Sequence, residues 1–160
     1  METAIYDREA AVRYAKKWAF KRNPDYYNFD NLGGDCTNFA SQCVYAGARV
    51  MNYTPTFGWY YRNIENRSPS WTGVEFLFNF LTGNSDAGPI GREVVLSELE
   101  PGDLVQLGRP TGDFYHTPVV VAVNNGKIYV AAHSYDAFMR PLSSYRAAAM
   151  RGIKIIGVNT

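Results

Sequence analysis

Four residues pair chemistry with a setting that could use it: Cys36, Cys43, His116 and His133, which are all the cysteines and histidines of the chain. Cys36 follows Gly33-Gly34-Asp35. Two glycines let a chain turn sharply, and an Asp in that place opens a helix as its N-cap. The first N–H groups of a helix have no partner inside it and carry the positive end of its dipole. That position favours thiolate over thiol and offers the N–H of Cys36 as an oxyanion donor. An ordinary cysteine is only a few per cent thiolate at neutral pH, so such help matters. Read alone, a cysteine is more often a small buried residue than a nucleophile.

Cys43 is the internal control. It lies seven residues further along the same predicted helix, a rise of about 10.5 Å, so the two cysteines share a face. A disulfide needs Cα atoms within roughly 7 Å, which an intact helix denies them. Cys43 sits beside Val44, away from the dipole, and reads as core.

The histidines lie in the strand-like half. His116 begins His-Thr-Pro-Val-Val-Val-Ala-Val, His133 ends Lys-Ile-Tyr-Val-Ala-Ala-His, and Asn124-Asn125-Gly126 between them is a hairpin signal. If Asn125-Gly126 is the two-residue loop, paired positions sum to 251, and His133 faces Pro118 diagonal to His116. If Asn124-Asn125 is the loop, the sum is 249 and the histidines are directly opposite. Both cases put the two imidazoles on one face, with Val120, Ala122, Tyr129 and Ala131, against the Cys36 helix. Val119, Val121, Val123, Ile128 and Val130 then form the other face. A longer loop or a bulge would break this parity.

On that geometry Cys36 is a nucleophile, His116 its base and later the acid for the leaving group, and His133 the residue that orients His116 through its second nitrogen. Each histidine alone would be better read as satisfied at a strand end; the joint occurrence carries the reading. A metal site is the competing use of these four side chains. Their spacing offers no C-x-x-C or H-x-x-x-H, so no metal is expected, and thiol chemistry requires no cofactor. Gly33-Gly34 is not a phosphate loop, because no Gly-Lys-Ser/Thr follows.

The elements that must position these groups divide the chain. Asp7 caps a first helix ending near Arg22, before Asn23-Pro24, with Ala11, Tyr14, Ala15, Trp18 and Ala19 as its apolar stripe. The Cys36 helix runs to Gly47, and a third spans roughly residues 72–81. Aromatic loops separate them, through Tyr26, Tyr27 and Phe29, then Phe57, Trp59, Tyr60 and Tyr61. Beyond Gly83 the vocabulary turns β-branched: Leu104–Leu107, Val119–Val123, Lys127–Ala132 and Ile153–Val158, the first preceded by a Pro101-Gly102-Asp103 turn. Helices first and strands afterwards predict an α+β fold, with N-terminal helices packed on an antiparallel sheet.

The chain has 160 residues, enough for one domain with a sizeable core, so residues 1–160 are read as a single domain. Sixteen Lys and Arg against fifteen Asp and Glu argue against a nucleic-acid partner or a basic membrane-surface protein. No apolar run is long enough for a membrane span. The start, Met-Glu-Thr-Ala-Ile-Tyr-Asp, lacks the basic and apolar segments of a secretion signal. Location stays open: secreted or cell-wall associated if a signal has been removed, cytoplasmic otherwise. Aromatic residues make up 15% of the chain, so some are expected to line a groove while most pack the core.

The run Gly33-Gly34-Asp35-Cys36-Thr37-Asn38-Phe39-Ala40-Ser41-Gln42-Cys43 resembles the signature of the bacterial "putative amidase domain" family. So do Ser68-Pro-Ser-Trp71, Pro101-Gly102-Asp103-Leu104, His116 before its valine run, and His133-Ser-Tyr-Asp136 with Pro141-Leu142. The resemblance extends from about Tyr6 to Val158 with the elements in order. It implies a papain-like, NlpC-like cysteine hydrolase related to NlpC-type endopeptidases and CHAP amidases, with Cys36, His116 and His133 as catalytic residues. In NlpC-type enzymes an Asp-Cys-Ser-Gly motif grips a free peptide amine; here Asp35-Cys36 is kept and Thr37-Asn38 stands in place of Ser-Gly. Asp35 is therefore either a substrate contact or only an N-cap. Asn38, Trp59 and Trp71 are the other candidate substrate-binding residues.

The function expected is amide hydrolysis through a thioester, on peptide or peptidoglycan-like substrates of the cell wall. The alternatives are an acyl transferase using the same cysteine, and a non-catalytic cell-wall or peptide-binding module. Oligomeric state is not readable.

Overall fold

Asp7 acts as the cap its position predicts: its Oδ1 accepts from the Ala10 N–H at 3.0 Å in the computed structural model, which describes residues 1–160. After a short strand β1 (Thr3–Ala4), helix α1 spans Arg8–Trp18 and buries Ala11 and Ala15 against α2 (Cys36–Ala48). The first helix stops at Trp18 instead of running to Arg22. The chain departs there so that the Trp18 carbonyl can meet His133 and Arg22 can reach Asp30 and Asp136.

Gly47 does not end α2, as its type suggests, but lies inside it. A Cβ there would stand 2.5 Å from the Asp7 carbonyl oxygen and from the Tyr6 ring, so only glycine permits this approach, which the Asp7 N–H seals on the Gly47 carbonyl at 3.0 Å. The helix closes at Arg49, whose backbone is left-handed at φ 60. A small hairpin, β2 (Tyr61–Asn63) with β3 (Asn66–Arg67), leads to α3 (Pro69–Thr72) and α4 (Val74–Gly83). The helix expected at 72–81 is α4, starting two residues later because the extended backbone of Gly73 (φ −108, ψ 129) parts it from the short α3 before it.

The strand half is one antiparallel sheet: β4 (Gly88–Val94), β5 (Leu104–Gly108), β6 (Phe114–His116), β7 (Val119–Asn124), β8 (Lys127–Ala132), β9 (Ala137–Pro141) and β10 (Ala149–Asn159). Its path is β1-β10-β5-β7-β8-β9, with β4 also paired to β10 and β6 to β5. The α+β expectation holds, with the helices on one face. There Phe39, Ala40, Cys43 and Val44 of α2 share a core with Val119, Val121, Ala131 and Ile153. A smaller core under the other face joins Leu99, Val105, Leu107, Val120, Val130 and Leu142. Among the strands missed in the sequence, β1, β2, β3 and β6 are only two or three residues long, and β4 and β9 carry Gly, Pro and charge where a strand signal is sought.

The hairpin register decides where the histidines go. At its tip the pairs Asn124–Lys127, Val123–Ile128 and Ala122–Tyr129 keep the sum of 251, so Asn125-Gly126 is the loop. A bulge between Val120 and Ala122 then shifts the pairing to Val120–Val130 and Val119–Ala131. Because side chains alternate, one extra residue turns the rest of the strand over. Val119 and Val121 therefore face the helices, and Val120 faces away, the reverse of the expected assignment. His116 is not on this strand at all: beyond Thr117-Pro118 it belongs to β6 and pairs with Leu107.

Candidate active site

Cys36 is the first residue of α2 and half-buried, with Gly33 (φ +86) and Gly34 (φ +96) in backbone conformations that side chains disfavour. Its Sγ lies 3.6 Å from Thr37 Oγ1 and 3.9 Å from the Tyr115 carbonyl oxygen. Burial pushes the thiol up from its ordinary range, opposed by hydrogen bonds from the Thr37 hydroxyl and the Thr117 and Thr37 backbone. Desolvation therefore outweighs the stabilisation expected from the helix terminus, and the resting group is a thiol. Thr37 is held in turn, its Oγ1 3.1 Å from Thr117 Oγ1, which accepts from Gln106 Nε2 at 3.3 Å.

His116 lines the same cleft as Cys36, a volume of about 370 Å³ also walled by Tyr115, Tyr135, Arg140 and Tyr145. Its ring has no hydrogen-bonded orienting partner; Tyr115 stacks near it at 6.3 Å between centroids, and Tyr145 lies at 5.9 Å. Burial, with the charge of Arg140 adding to it, lowers His116 to about 4. Near neutral pH the imidazole is uncharged and able to accept a proton.

His133 is not where the orienting role needs it. It is buried with its ring stacked on Phe39 at 4.0 Å. Its Nδ1 hydrogen-bonds Asp35 Oδ2 at 2.6 Å, and its Nε2 lies 2.8 Å from the Trp18 carbonyl oxygen and 3.0 Å from Arg22 Nη1. Both nitrogens are engaged, neither with His116. The bulge in β7 and the break at Thr117-Pro118 separate the two histidines that parity had brought together.

Asp35 is neither a substrate contact nor a side-chain cap. Its Oδ1 accepts from the Phe29 N–H at 2.8 Å and from Asn38 Nδ2 at 2.9 Å, while Oδ2 takes His133. The carboxylate thus ties the glycine loop, the start of α2 and the end of β8 together directly behind Cys36. Asn38, Trp59 and Trp71 are buried too and cannot touch a substrate. Trp71 Nε1 donates to Asn38 Oδ1 at 3.0 Å, Trp59 Nε1 to Ser41 Oγ at 3.1 Å, and Ser41 Oγ to the Trp71 carbonyl at 2.9 Å. The indoles are core, with each N–H satisfied along the inner face of α2.

Arg140 and Tyr145, which do line the cleft, carried no sequence signal, because β9 and the turn after it reach the site only through sheet order. Four hollows elsewhere are larger, from about 380 to about 650 Å³, but none contains a cysteine or histidine. No group of three Cys, His, Asp or Glu side chains is placed to hold a metal ion. The cation among Asp30, Asp35 and Asp136 is the Arg22 guanidinium. No helix is long and apolar enough to cross a membrane.

Comparison with known proteins agrees in extent with this architecture. The chain is 41% identical over 140 residues to the uncharacterized protein YhbB of Bacillus subtilis (strain 168), covering 84% of this chain and 43% of that protein. It is 28% identical over 147 residues to the uncharacterized protein YjcM of the same organism, covering 85% of this chain and 32% of that protein. The chain therefore spans less than half the length of these curated relatives. No solved structure matches it. The family model described as "Putative amidase domain" matches residues 5–156, so both the Cys36 loop and the His116 strand fall within it, and the chain belongs to that family.

Proposed function

We propose that the domain cleaves amide bonds with Cys36 as nucleophile and His116 as proton carrier, a dyad rather than the expected triad. The observation that carries this reading is that Cys36 and His116, on elements far apart in sequence, line one cleft in a domain of an amidase family. His116 takes the thiol proton as Sγ attacks the carbonyl carbon, and the oxyanion forms against the first N–H of α2. The tetrahedral species collapses, the C–N bond breaks, and His116 delivers the proton to the leaving nitrogen. Water, deprotonated by His116, then attacks the thioester; the C–S bond breaks and the thiol is restored as the carboxylate departs.

Hydrogen bonding does not orient His116; packing between Tyr115 and Tyr145 does. His133 acts one step removed, holding Asp35 and so the turn that presents Cys36. A cysteine at a helix start packed on an antiparallel sheet whose strand supplies the histidine is consistent with a papain-like, NlpC-like arrangement. The sequence resemblance makes bacterial cell-wall peptide the substrate class to try first.

The test is release of peptide fragments from digested peptidoglycan, followed by mass spectrometry for wild type, Cys36→Ala, His116→Ala and Cys43→Ala. Cys36→Ala should lose cleavage, and His116→Ala should slow it by about 10²–10⁴-fold, as for loss of a general base. Cys43→Ala should retain the site. Amide cleavage that survives Cys36→Ala would overturn the assignment, and binding without cleavage in wild type would favour a binding module.

A further inference from the structure

The cleft contains one permanent charge, and that charge has no counter-ion. Arg22 is held by Asp30 and Asp136, Arg109 by Asp113, and Arg151 by Glu75. Arg140, which lines the cleft with Cys36 and His116, is bridged to no carboxylate, and no Asp or Glu lines the cleft. Its Nε donates to Ser144 Oγ at 2.8 Å and its Nη2 to the Ser144 carbonyl at 3.4 Å, leaving Nη1 without an acceptor. The guanidinium is fixed by lying 3.7 Å over the Tyr145 ring.

Beside it is a second unsatisfied donor. Tyr145 Oη is the one buried side-chain polar atom in the protein with no partner at hydrogen-bond geometry; the Arg140 guanidinium is near enough to help its oxygen, but its O–H proton has no acceptor. Buried hydroxyls ordinarily find an acceptor for the O–H proton, and leaving it without one costs free energy. The same ring lies 5.9 Å from His116, so the orphan pair and the base border one space.

The geometry points to a carboxylate-binding subsite formed by Arg140 and Tyr145, so that the amide cleaved at Cys36 carries a carboxylate close to the scissile bond. This rests on Cys36 being the nucleophile. One carboxylate oxygen accepts from the guanidinium and the other from the phenol, both as charge-assisted hydrogen bonds. Occupancy also neutralises the charge that helps hold His116 in its uncharged form, so a correct substrate makes its own base stronger.

Paired alkylating agents test the subsite without a known substrate. Iodoacetate and iodoacetamide differ by a carboxylate, and the ratio of their rates at Cys36, read by peptide mass spectrometry, is compared with the ratio at free cysteine. It should exceed the free-cysteine ratio by about tenfold, as a charge-assisted contact would give. Arg140→Gln should abolish the excess, Arg140→Lys should restore part of it, and Tyr145→Phe should lower it by about threefold through loss of one donor. Tyr145→Phe keeps the ring and its stack, so it serves if Arg140→Gln fails to fold by circular dichroism. A ratio equal to that of free cysteine, or one that neither Arg140→Gln nor Tyr145→Phe changes, overturns the subsite alone. If iodoacetamide also spares Cys36, the nucleophile assignment falls and the subsite with it.

Discussion

Around His133 every nearby polar group has found a partner, whereas around His116 one charge lacks a counter-ion and one hydroxyl lacks an acceptor. The first histidine sits among Asp35, Trp18, Arg22 and Phe39; those contacts join the end of α1, the start of α2 and the end of β8. The second stands at the edge of a cleft between two tyrosines, with Arg140 lacking a carboxylate and the Tyr145 hydroxyl lacking an acceptor. A buried polar network completed within the chain fixes a conformation. One left incomplete beside a cavity keeps its bonding capacity for something that enters. That distinction, more than residue type, separates the histidine that holds the fold from the one available for chemistry.

The largest effect that could break this contrast is on stability. His133→Ala leaves Asp35 Oδ2 buried without its hydrogen-bond partner and with Arg22 Nε no nearer than 3.7 Å, while Oδ1 keeps the Phe29 N–H and Asn38 Nδ2. Orphaning a buried carboxylate oxygen costs more than the about 1–3 kcal/mol of a neutral group, and urea denaturation should show a loss above about 3 kcal/mol. His116→Ala, which has no hydrogen bond to lose, should cost less than about 1.5 kcal/mol, a value typical of a partly exposed site. A stable His133→Ala protein with an unreactive Cys36 would reverse the two roles.

A smaller effect follows from acid. Burial and Arg140 lower His116 to about 4 in the folded protein, whereas the unfolded chain titrates near 6.5. Between those values the unfolded state binds more protons, so stability falls as pH drops from about 6.5 to 4 and is fully present above that window. A shift of this size is worth a few kcal/mol at most, reduced by the ring's partial exposure. Denaturation midpoints from pH 7 to 4 should decline less steeply in His116→Gln than in wild type. Equal slopes would mean the imidazole is better solvated than its setting between Tyr115 and Tyr145 implies.

What could be read from the residues, and what could not, follows the range of the interactions. The Asp7 cap, the start of α2 at Cys36 and Cys43 as core are local, and they stand as read; of the two hairpin loops left open, Asn125-Gly126 is the one formed. The face assignment along β7 failed because one bulge inverts all that follows it, and no residue in Val-Val-Val-Ala-Val marks where the extra one sits. The roles of Asp35, Asn38, Trp59 and Trp71 turned on burial. A signature residue that supports a nucleophile from behind looks, in one dimension, like one that touches substrate. Asp103 is a parallel case: the Pro-Gly-Asp turn was legible, but its carboxylate is buried, holding Arg8 at 2.7 Å and the Ile155 N–H at 2.9 Å across the sheet.

The smallest predicted effect is the most discriminating, because its sign differs between the two regions. Tyr145→Phe removes a buried hydroxyl whose proton has no acceptor while keeping the ring over which Arg140 lies. Folding then no longer strips water from that group, and the variant should be as stable as wild type or more stable by up to about 1 kcal/mol. The same kind of deletion in the satisfied region, Ser41→Ala, strands the Trp59 N–H and the Trp71 carbonyl and should cost about 1–3 kcal/mol. Opposite signs in thermal denaturation would show that the cleft tolerates an unmet bond for use by a ligand, a trade of stability for function. Destabilisation of both by similar amounts would mean that Tyr145 Oη has a partner in solution, and that the cleft is as complete as the cluster behind it.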